Sequence, residues 1–338
     1  MSRFSRAAWL VLLYNLAVIA WGAFVRATGS GAGCGRHWPM CNGVVVPRSP
    51  SVATLIEFSH RLTSGLDLVL VVALAVWAFR IYPKRHVVRK AAVASVALLL
   101  SEALVGAGLV LLELVAHNDS LKRAVALPTH LVNTFFLLAA LALTAWWSTV
   151  VPASAAGPVV RLRGQGAAGG FVAVSLFGTL LLGVTGAVTA LGDTLFSAGS
   201  LVEGMRQDFS PTAHFLLRLR IWHPSLAVLI GALVALTAGV VWLTRDGRRT
   251  QRFAVAVVAL FLAQLVAGVT NLLLLVPVWM QLVHLLLADV LWISLVLLAA
   301  SVVADPVATG ERVGVRAADV EGEREGGTPR ATPLPTGR

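Results

Sequence analysis

Residues 57–80 read EFSHRLTSGLDLVLVVALAVWAFR, a run long enough to cross a bilayer with a histidine in its opening turns. A helix needs about 20 apolar residues to span the hydrocarbon core. The chain contains eight such runs, at approximately 8–25, 60–80, 91–115, 128–150, 169–190, 213–244, 252–276 and 281–303. Because runs of this length favour helices over barrel strands, we predict an all-α integral membrane protein.

Composition and charge pattern also place the chain in a membrane. Of its 338 residues, 57% are hydrophobic and 13% are charged, which is more apolar surface than a soluble domain of this length can bury. The net charge of +11 does not indicate a nucleic-acid partner, because the basic residues concentrate in alternate loops, chiefly at 80–90 and 245–252. By the positive-inside rule, we predict a multi-pass protein of a bacterial plasma membrane with both termini cytoplasmic.

The chain reads as two similar halves. His60 and His223 are 163 residues apart, and Gly22 and Gly186 are 164 apart. The segment that begins at Glu102 and ends in a glycine is matched 162 residues later by one that begins at Gln264. These landmarks occur in the same order in both halves, so the repeat is parallel, as when one four-helix unit is duplicated.

The repeat predicts eight transmembrane helices arranged as two tandem pseudo-symmetric four-helix bundles. We place the N-terminal half at 1–151, a cytoplasmic linker at 152–168 and the C-terminal half at 169–303. Residues 304–338 are rich in Gly, Pro, Thr, Arg and Glu and have little apolar content, which is typical of a disordered cytoplasmic tail.

Four histidines lie at matching positions in the apolar runs: His60, His130, His223 and His284. An ionisable side chain at membrane depth is costly and therefore indicates a function. Imidazole is an axial ligand of haem iron, and bundle cofactors are held by inward residues of facing helices. We therefore predict one haem site in each half, with two histidine ligands each. The other histidines are expected to face solvent: His37, His86, His117 and His214.

The two predicted sites differ in charge. Glu57 precedes His60 by three residues on the same helix face, whereas Arg220 holds the equivalent place before His223. A carboxylate beside a haem can accept protons or stabilise positive charge on a substrate. A structural Glu57, favourable with the helix dipole, is the alternative. The asymmetry favours the N-terminal half as the reactive one.

A loop found only in the first half contains the two cysteines of the chain. It reads GSGAGCGRHWPMCNG over residues 29–43. Under the predicted orientation, Cys34 and Cys41 lie on the outer, oxidising side, where a disulfide is expected to form. So small a ring stabilises the fold only modestly, and a structural clip and a redox role beside the haem both stay open.

Together these residues resemble the haem A synthase family over about residues 8–303. The specific matches are Arg26-Ala-Thr-Gly-Ser-Gly before Cys34, the loop Trp38-Pro39-Met40-Cys41-Asn42-Gly43, and Glu57-Phe58-Ser59-His60-Arg61. The cysteine-containing form is similar to Gram-positive members. The resemblance implies that a ring methyl of haem O is oxidised through an alcohol to the formyl group of haem A, with water as the oxygen source, for use in terminal oxidases.

The resemblance also implies roles for the site residues. His223 and His284 would ligate a resident haem b, while His60 and His130 would surround the substrate haem O. Glu57 would assist removal of protons and electrons from the methyl. The cysteine pair would connect to electron transfer or stabilise the active loop.

One position departs from symmetry: His60 is followed by Arg61, whereas His223 is followed by Pro224. If Arg61 contacts a haem propionate in the first site, the second site would use Arg218 or Arg220 instead. Proline removes a backbone donor, so a kink in the helix at His223 is expected.

Other functions remain as alternatives. A di-haem electron carrier resembling cytochrome b561 would usually place haems near both membrane faces, whereas all four histidines are predicted near one. A haem transporter or chaperone would tolerate Gln in place of Glu57, and a thiol–disulfide oxidoreductase would not need four histidines.

Haem O synthase is an expected partner because haem O is apolar and reactive. No pattern identifies an electron acceptor, and a homo-oligomer is compatible with the sequence.

Overall fold

The computed structural model describes residues 1–154 and 164–303, and no β-strand is formed within these ranges. Their α-helices are α1 (Arg3–Ala27), α2 (Val52–Ile81), α3 (Val87–Leu111), α4 (Leu121–Val150), α5 (Gly166–Leu195), α6 (Leu201–Asp208), α7 (Phe215–Arg220), α8 (Trp222–Thr244), α9 (Arg248–Leu273) and α10 (Val278–Val303). The described residues contain eight membrane crossings, with α7 and α8 forming one of them. The predicted all-α, multi-pass architecture is confirmed. The cytoplasmic location of the termini stays a prediction.

The membrane-crossing helices pack as two rings of four. In the first ring, α1 packs against α2, α2 against α3, α3 against α4, and α4 back against α1. The second ring repeats this order with α5, α8, α9 and α10. The helices α2 and α4 are therefore diagonal in one ring, and α8 and α10 in the other. Since the four histidines lie on these diagonal helices, each predicted pair can meet across the interior of its own ring.

The predicted boundaries between the halves fall partly outside the described residues. Of the linker placed at 152–168, residues 155–163 are not described, and the tail placed at 304–338 is not described either. The proposed limits of the two halves and the disorder of the tail therefore stay predictions.

Serine side chains begin three of the membrane-crossing helices. Ser2, Ser51 and Ser120 each accept a hydrogen bond from the backbone N–H three residues further on. The first N–H groups of a helix have no partner within it, and a serine at this position supplies one. These caps fix the residue at which each helix starts. In α2 and α4, they therefore also fix how far from the helix start His60 and His130 lie.

Two prolines lie close to the histidines. Pro128 is inside α4, two residues before His130. Pro224 is the third residue of α8, because the helical conformation is interrupted at Ile221, between α7 and α8. Proline is tolerated in the first turn of a helix, where its missing N–H has no helical partner. The irregularity expected at His223 thus takes the form of a break just before that residue.

The two rings join through α1 and α4 on one side and α5 and α10 on the other. At this interface, the Trp292 indole N–H donates to the Phe135 carbonyl at 2.6 Å. The aromatic side chains of these two residues stack with ring centroids 5.2 Å apart. Both residues are buried. A buried indole needs a hydrogen-bond acceptor, and stacked aromatic rings add to the energy of area burial. This pair therefore fastens α4 of the first ring to α10 of the second.

One expectation about the remaining histidines was wrong. His86 does not face solvent but is 1% exposed and stacks on Tyr82 with ring centroids 4.4 Å apart. Its Nδ1 accepts the Val88 N–H at 3.2 Å and so caps α3. Burial lowers the pKa of His86, which keeps this acceptor nitrogen unprotonated. His37 and His117 are exposed, as predicted.

The Trp292–Phe135 contact makes the bundle interface testable. Trp292→Phe keeps an aromatic ring but removes the indole donor, and we expect it to lower stability by about 1–2 kcal/mol. The measurement is the midpoint of thermal unfolding of the detergent-solubilised protein. Trp242→Phe is the control, because Trp242 is 47% exposed and has no role at this interface. Equal midpoints for both variants would contradict the assignment.

Candidate functional site

Each of the four predicted ligands has its imidazole ring against a glycine of the preceding membrane-crossing helix. The pairs are His60 with Gly22, His130 with Gly106, His223 with Gly186, and His284 with Gly268. A β-carbon added at Gly22 would lie 2.9 Å from the His60 ring, and one at Gly186 or Gly268 would lie 3.0 Å from its histidine. At Gly106 the distance is 3.8 Å. The glycine landmarks of the repeat thus mark where a helix backbone meets an imidazole.

The structure brings the histidines together in the predicted pairs. His60 and His130 lie within electrostatic range of each other across the first ring, and His223 and His284 do so across the second. All four residues are half-buried and lie in the opening turns of their helices. We call this end of the two rings the histidine end. Both pairs lie there because α2, α4, α8 and α10 all start from the same side.

Several ring nitrogens of these histidines lack hydrogen-bond partners. The Nδ1 atoms of His60 and His284 are buried without a hydrogen bond among the described residues. His223 Nδ1 lies 3.1 Å from the hydroxyl of Thr185. Buried polar atoms are nearly always paired, so unpaired ones mark a place that a ligand would complete. Facing imidazoles, each against a glycine, fit the axial ligation of haem iron.

A carboxylate with no role predicted from the sequence lies beside the His130 imidazole. Glu102 Oε1 is 3.3 Å from His130 Nδ1, and Thr134 and Asn133 also donate to the Glu102 carboxylate at 2.5 Å each. The equivalent residue of the second half is Gln264, whose amide nitrogen is 3.3 Å from His284 Nε2. The Glu-to-Gln difference between the repeats was the available signal. The N-terminal site therefore has a negative charge at a position where the C-terminal site is neutral.

Glu57 holds the cysteine loop on α2. It is 3% exposed, and its Oε2 accepts the Cys34 N–H at 2.8 Å while Oε1 pairs with the Arg61 guanidinium. Arg61 in turn donates to the carbonyls of His37 and Met40, each at 2.6 Å. Glu57 thus has a structural role that differs from the expected interaction with the helix dipole. Because it lies one helical turn from His60, its chemical role stays a prediction.

The disulfide between Cys34 and Cys41 is confirmed, with Cα atoms 4.4 Å apart and both residues fully buried. The loop lies so close to α2 that a β-carbon at Gly33 would be 2.5 Å from the Ala53 backbone. The Thr54 hydroxyl also donates to the Gly33 carbonyl at 2.8 Å. The disulfide, Glu57 and these contacts together seat the loop at the histidine end of the first ring.

The arginines proposed for the second site have different surroundings. Arg220 pairs with Asp193 at 3.0 Å and with Asp208 at 2.5 Å, which ties α7 to α5 and α6. Arg218 is exposed and donates to the Pro211 carbonyl. The predicted propionate contacts of Arg61, Arg218 and Arg220 stay predictions. Two of these guanidiniums already have carboxylate partners, Arg61 in Glu57 and Arg220 in its two aspartates.

Residues 5–296 match the family described as cytochrome oxidase assembly protein. The chain belongs to this family. The match includes all four histidines, the cysteine loop and both rings of helices. It confirms the family resemblance identified from the EFSHR and WPMC segments.

Individual relatives agree over shorter or longer parts. The protein named protoheme IX farnesyltransferase from Thermus thermophilus is 52% identical over 300 residues, which cover 89% of this chain and 48% of that protein. The heme A synthase of Alkalihalophilus pseudofirmus is 42% identical over 95 residues, covering 28% of this chain and 32% of the relative. That of Shouchella clausii is 45% identical over 95 residues with the same coverage. The chain thus spans about half the length of the Thermus relative.

The Glu57–Arg61 pair predicts how firmly the cysteine loop is held. Arg61→Gln would leave the Glu57 carboxylate without its charge partner in a nearly dry site. We expect the Cys34–Cys41 disulfide to be reduced roughly tenfold faster, because loss of a charged hydrogen bond eases local opening. The measurement is the rate of thiol labelling after dithiothreitol is added.

Arg36→Gln is the matched control for this loop. Arg36 pairs with Glu113 at 3.3 Å, but both side chains are exposed, so the pair contributes little. Reduction at the wild-type rate in Arg61→Gln would show that the ion pair does not hold the loop.

Proposed function

We propose that this chain is a haem A synthase, which oxidises a ring methyl of haem O to the formyl group of haem A, with water as the oxygen source. The observation that carries the proposal is the pair of facing histidine sites, of which the N-terminal one has the carboxylates Glu57 and Glu102 near its ligands. The family and the relatives named heme A synthase support the same function.

In the N-terminal site, His60 and His130 would position the substrate haem O. Oxidation of a methyl group releases protons together with electrons, so the site needs bases at the reacting edge. Glu102, 3.3 Å from His130, and Glu57, one turn from His60, are suited to that role. A carboxylate also stabilises positive charge that develops on the substrate.

In the C-terminal site, His223 and His284 would hold haem b as a resident cofactor that accepts electrons from the oxidation. The ring neighbours there are neutral, the Thr185 hydroxyl and the Gln264 amide. These groups can orient an imidazole by hydrogen bonding without taking up protons. These neutral surroundings are consistent with a site that transfers electrons and does not accept protons from a substrate.

Haem farnesylation is a second candidate, because it is the activity for which the 52% identical Thermus relative is named. The matched part is 48% of that protein, which leaves another half to carry the named activity. This arrangement also supports a haem O synthase as the natural partner of the present chain, since it would supply the substrate. The two candidates give products of different mass from different starting haems.

A transmembrane electron carrier is less consistent with the structure. Such a protein would need haems near both membrane faces, whereas both histidine pairs lie at the same end of their rings. A haem transporter would not require Glu57 or Glu102 to be acidic. Product analysis separates both from an enzyme.

The proposal is tested by extracting the haems of the purified full chain after co-expression with a source of haem O, and resolving them by chromatography and mass. We expect haem A from the wild type. Glu57→Gln and Glu102→Gln should lower its yield by about a hundredfold or stop at the alcohol, since each removes a base. Glu113→Gln, at an exposed position, is the control.

Haem O that stays unchanged in the wild type, with no haem A formed, would disprove the synthase function. Farnesylated product formed from haem b and farnesyl diphosphate would favour the second candidate instead. Equal haem A from wild type and both variants would remove the carboxylates from the mechanism while leaving the function intact.

The glycine contacts predict which substitutions block ligation. Gly186→Ala would force the His223 ring away by several tenths of an ångström, and we expect roughly tenfold weaker haem retention in the C-terminal site. Gly106→Ala should retain haem like the wild type, since its β-carbon would lie 3.8 Å from His130. The measurement is haem per protein by pyridine haemochrome absorbance.

Gly239→Ala, in the helix that carries His223, controls for the general effect of alanine in a membrane-crossing helix, because no atom lies within 4 Å of its β-carbon position. Equal haem content in Gly186→Ala and Gly239→Ala would show that the glycine does not position the histidine.

A further inference from the structure

Two arginines near the histidine end, one half-buried and one buried, have no carboxylate within ion-pair distance among the described residues. They are Arg26 on α1 and Arg123 on α4. By contrast, Arg61 pairs with Glu57, and Arg220 pairs with two aspartates. A guanidinium removed from water is costly unless its charge is compensated. The arginines without a carboxylate partner are therefore suited to bind an anionic group of a ligand.

Arg123 has a local structural use. It is 2% exposed, and its Nη1 donates to the carbonyls of Ala116 and Asn118 at 2.5 and 2.7 Å. It thereby closes the loop that leads into α4. Its Nε is buried without a partner, and its charge adds to the positive potential felt by Arg26.

Arg26 instead reaches from the first ring to the second. Its Nη1 donates to the Ala190 carbonyl and the Thr194 hydroxyl on α5, and its Nη2 to the Gln281 side-chain oxygen on α10, all at 2.8 Å. These three acceptors are neutral. The carboxylate whose charge acts on Arg26 is that of Asp193, which is already hydrogen-bonded to Arg220. The contacts fix the guanidinium in place but do not neutralise it.

The position of Arg26 relates it to the C-terminal site. Ala190 lies one turn beyond Gly186, the glycine under His223, and Gln281 lies one turn before His284. A helical turn rises about 5.4 Å, so the guanidinium lies roughly one turn beyond the ligand level, towards the histidine end. A porphyrin held between His223 and His284 carries its only anionic groups, the propionates, on one edge.

We propose that Arg26 of the N-terminal ring binds a propionate of the haem held by His223 and His284, and so completes the C-terminal site from the other half of the chain. Arg26 would thus have the role that the sequence predicted for Arg218 or Arg220. The inference rests on the proposed haem ligation, but it does not require that haem O is oxidised. Arg26 is a ligand-binding residue in this account and takes no part in the chemistry.

The test is a spectroscopic titration of the full-length, haem-free protein in detergent with haem b and with haem b dimethyl ester, whose propionates are uncharged. The background is His60→Ala/His130→Ala, which leaves the C-terminal pair of ligands. With Arg26 present, the free acid should bind about tenfold tighter than the ester, as expected for one charge-assisted hydrogen bond. Arg26→Gln should abolish this preference by weakening binding of the free acid alone.

Matched variants separate propionate binding from a structural role. Arg206→Gln removes an exposed arginine of α6 and should leave the preference for the free acid unchanged. Arg26→Lys keeps the positive charge and should retain part of the preference for the free acid. It also keeps the proposal testable if the glutamine variant does not fold. If Arg26→Gln weakens the free acid and the ester equally, Arg26 only joins the rings and the proposal is wrong.

Two further outcomes would overturn the assignment. A preference for the free acid seen only in the complementary His223→Ala/His284→Ala background would place the propionate in the N-terminal site. No preference in any Arg26 form would mean that the guanidinium compensates another anion, such as a lipid phosphate. Because no haem A is measured, this result is independent of the synthase test. Absence of binding by the wild type would reject haem ligation itself.

Discussion

The contact between a helix backbone and an imidazole ring is the constraint on which both bundles depend. Neighbouring helices lie about 8–10 Å apart, which leaves no space for a β-carbon where a histidine ring points at the facing helix. Gly22, Gly186 and Gly268 remove that carbon, and the rings then lie directly on the backbone. A glycine within a helix lowers its stability by up to about 1 kcal/mol. In return, the histidine side chains can lie inside the four-helix bundles.

The charges at the histidine end are organised around this arrangement. In the first half, Glu57 and Arg61 hold the disulfide loop on α2. In the second half, Arg220 forms ion pairs with Asp193 and Asp208 and so joins α6 and α7 to α5. Breaking a buried ion pair leaves an uncompensated charge, which makes such pairs specific about which segments they join. The two halves therefore close the same end of the bundle with different loops.

The duplicated sites share geometry but differ in the polar groups near their ligands. His130 has the carboxylate of Glu102 near its ring, whereas His284 has the amide of Gln264. Under the proposed function, the first site could exchange protons with a bound substrate, whereas the second offers a neutral amide at the corresponding position. In the proposed synthase, this difference would help to separate a substrate site from a cofactor site on two copies of one scaffold.

The sequence by itself determined the eight membrane-crossing helices and the four paired histidines, because hydrocarbon demands long apolar helices and tolerates ionisable residues only with a partner. It also located the glycine landmarks, without their purpose. Only the tertiary structure decided what these residues contact. Side chains far apart in the sequence, such as Arg26 and Gln281, meet through the packing of separate helices. No local pattern encodes that meeting, and the same holds for the burial of His86 against expectation.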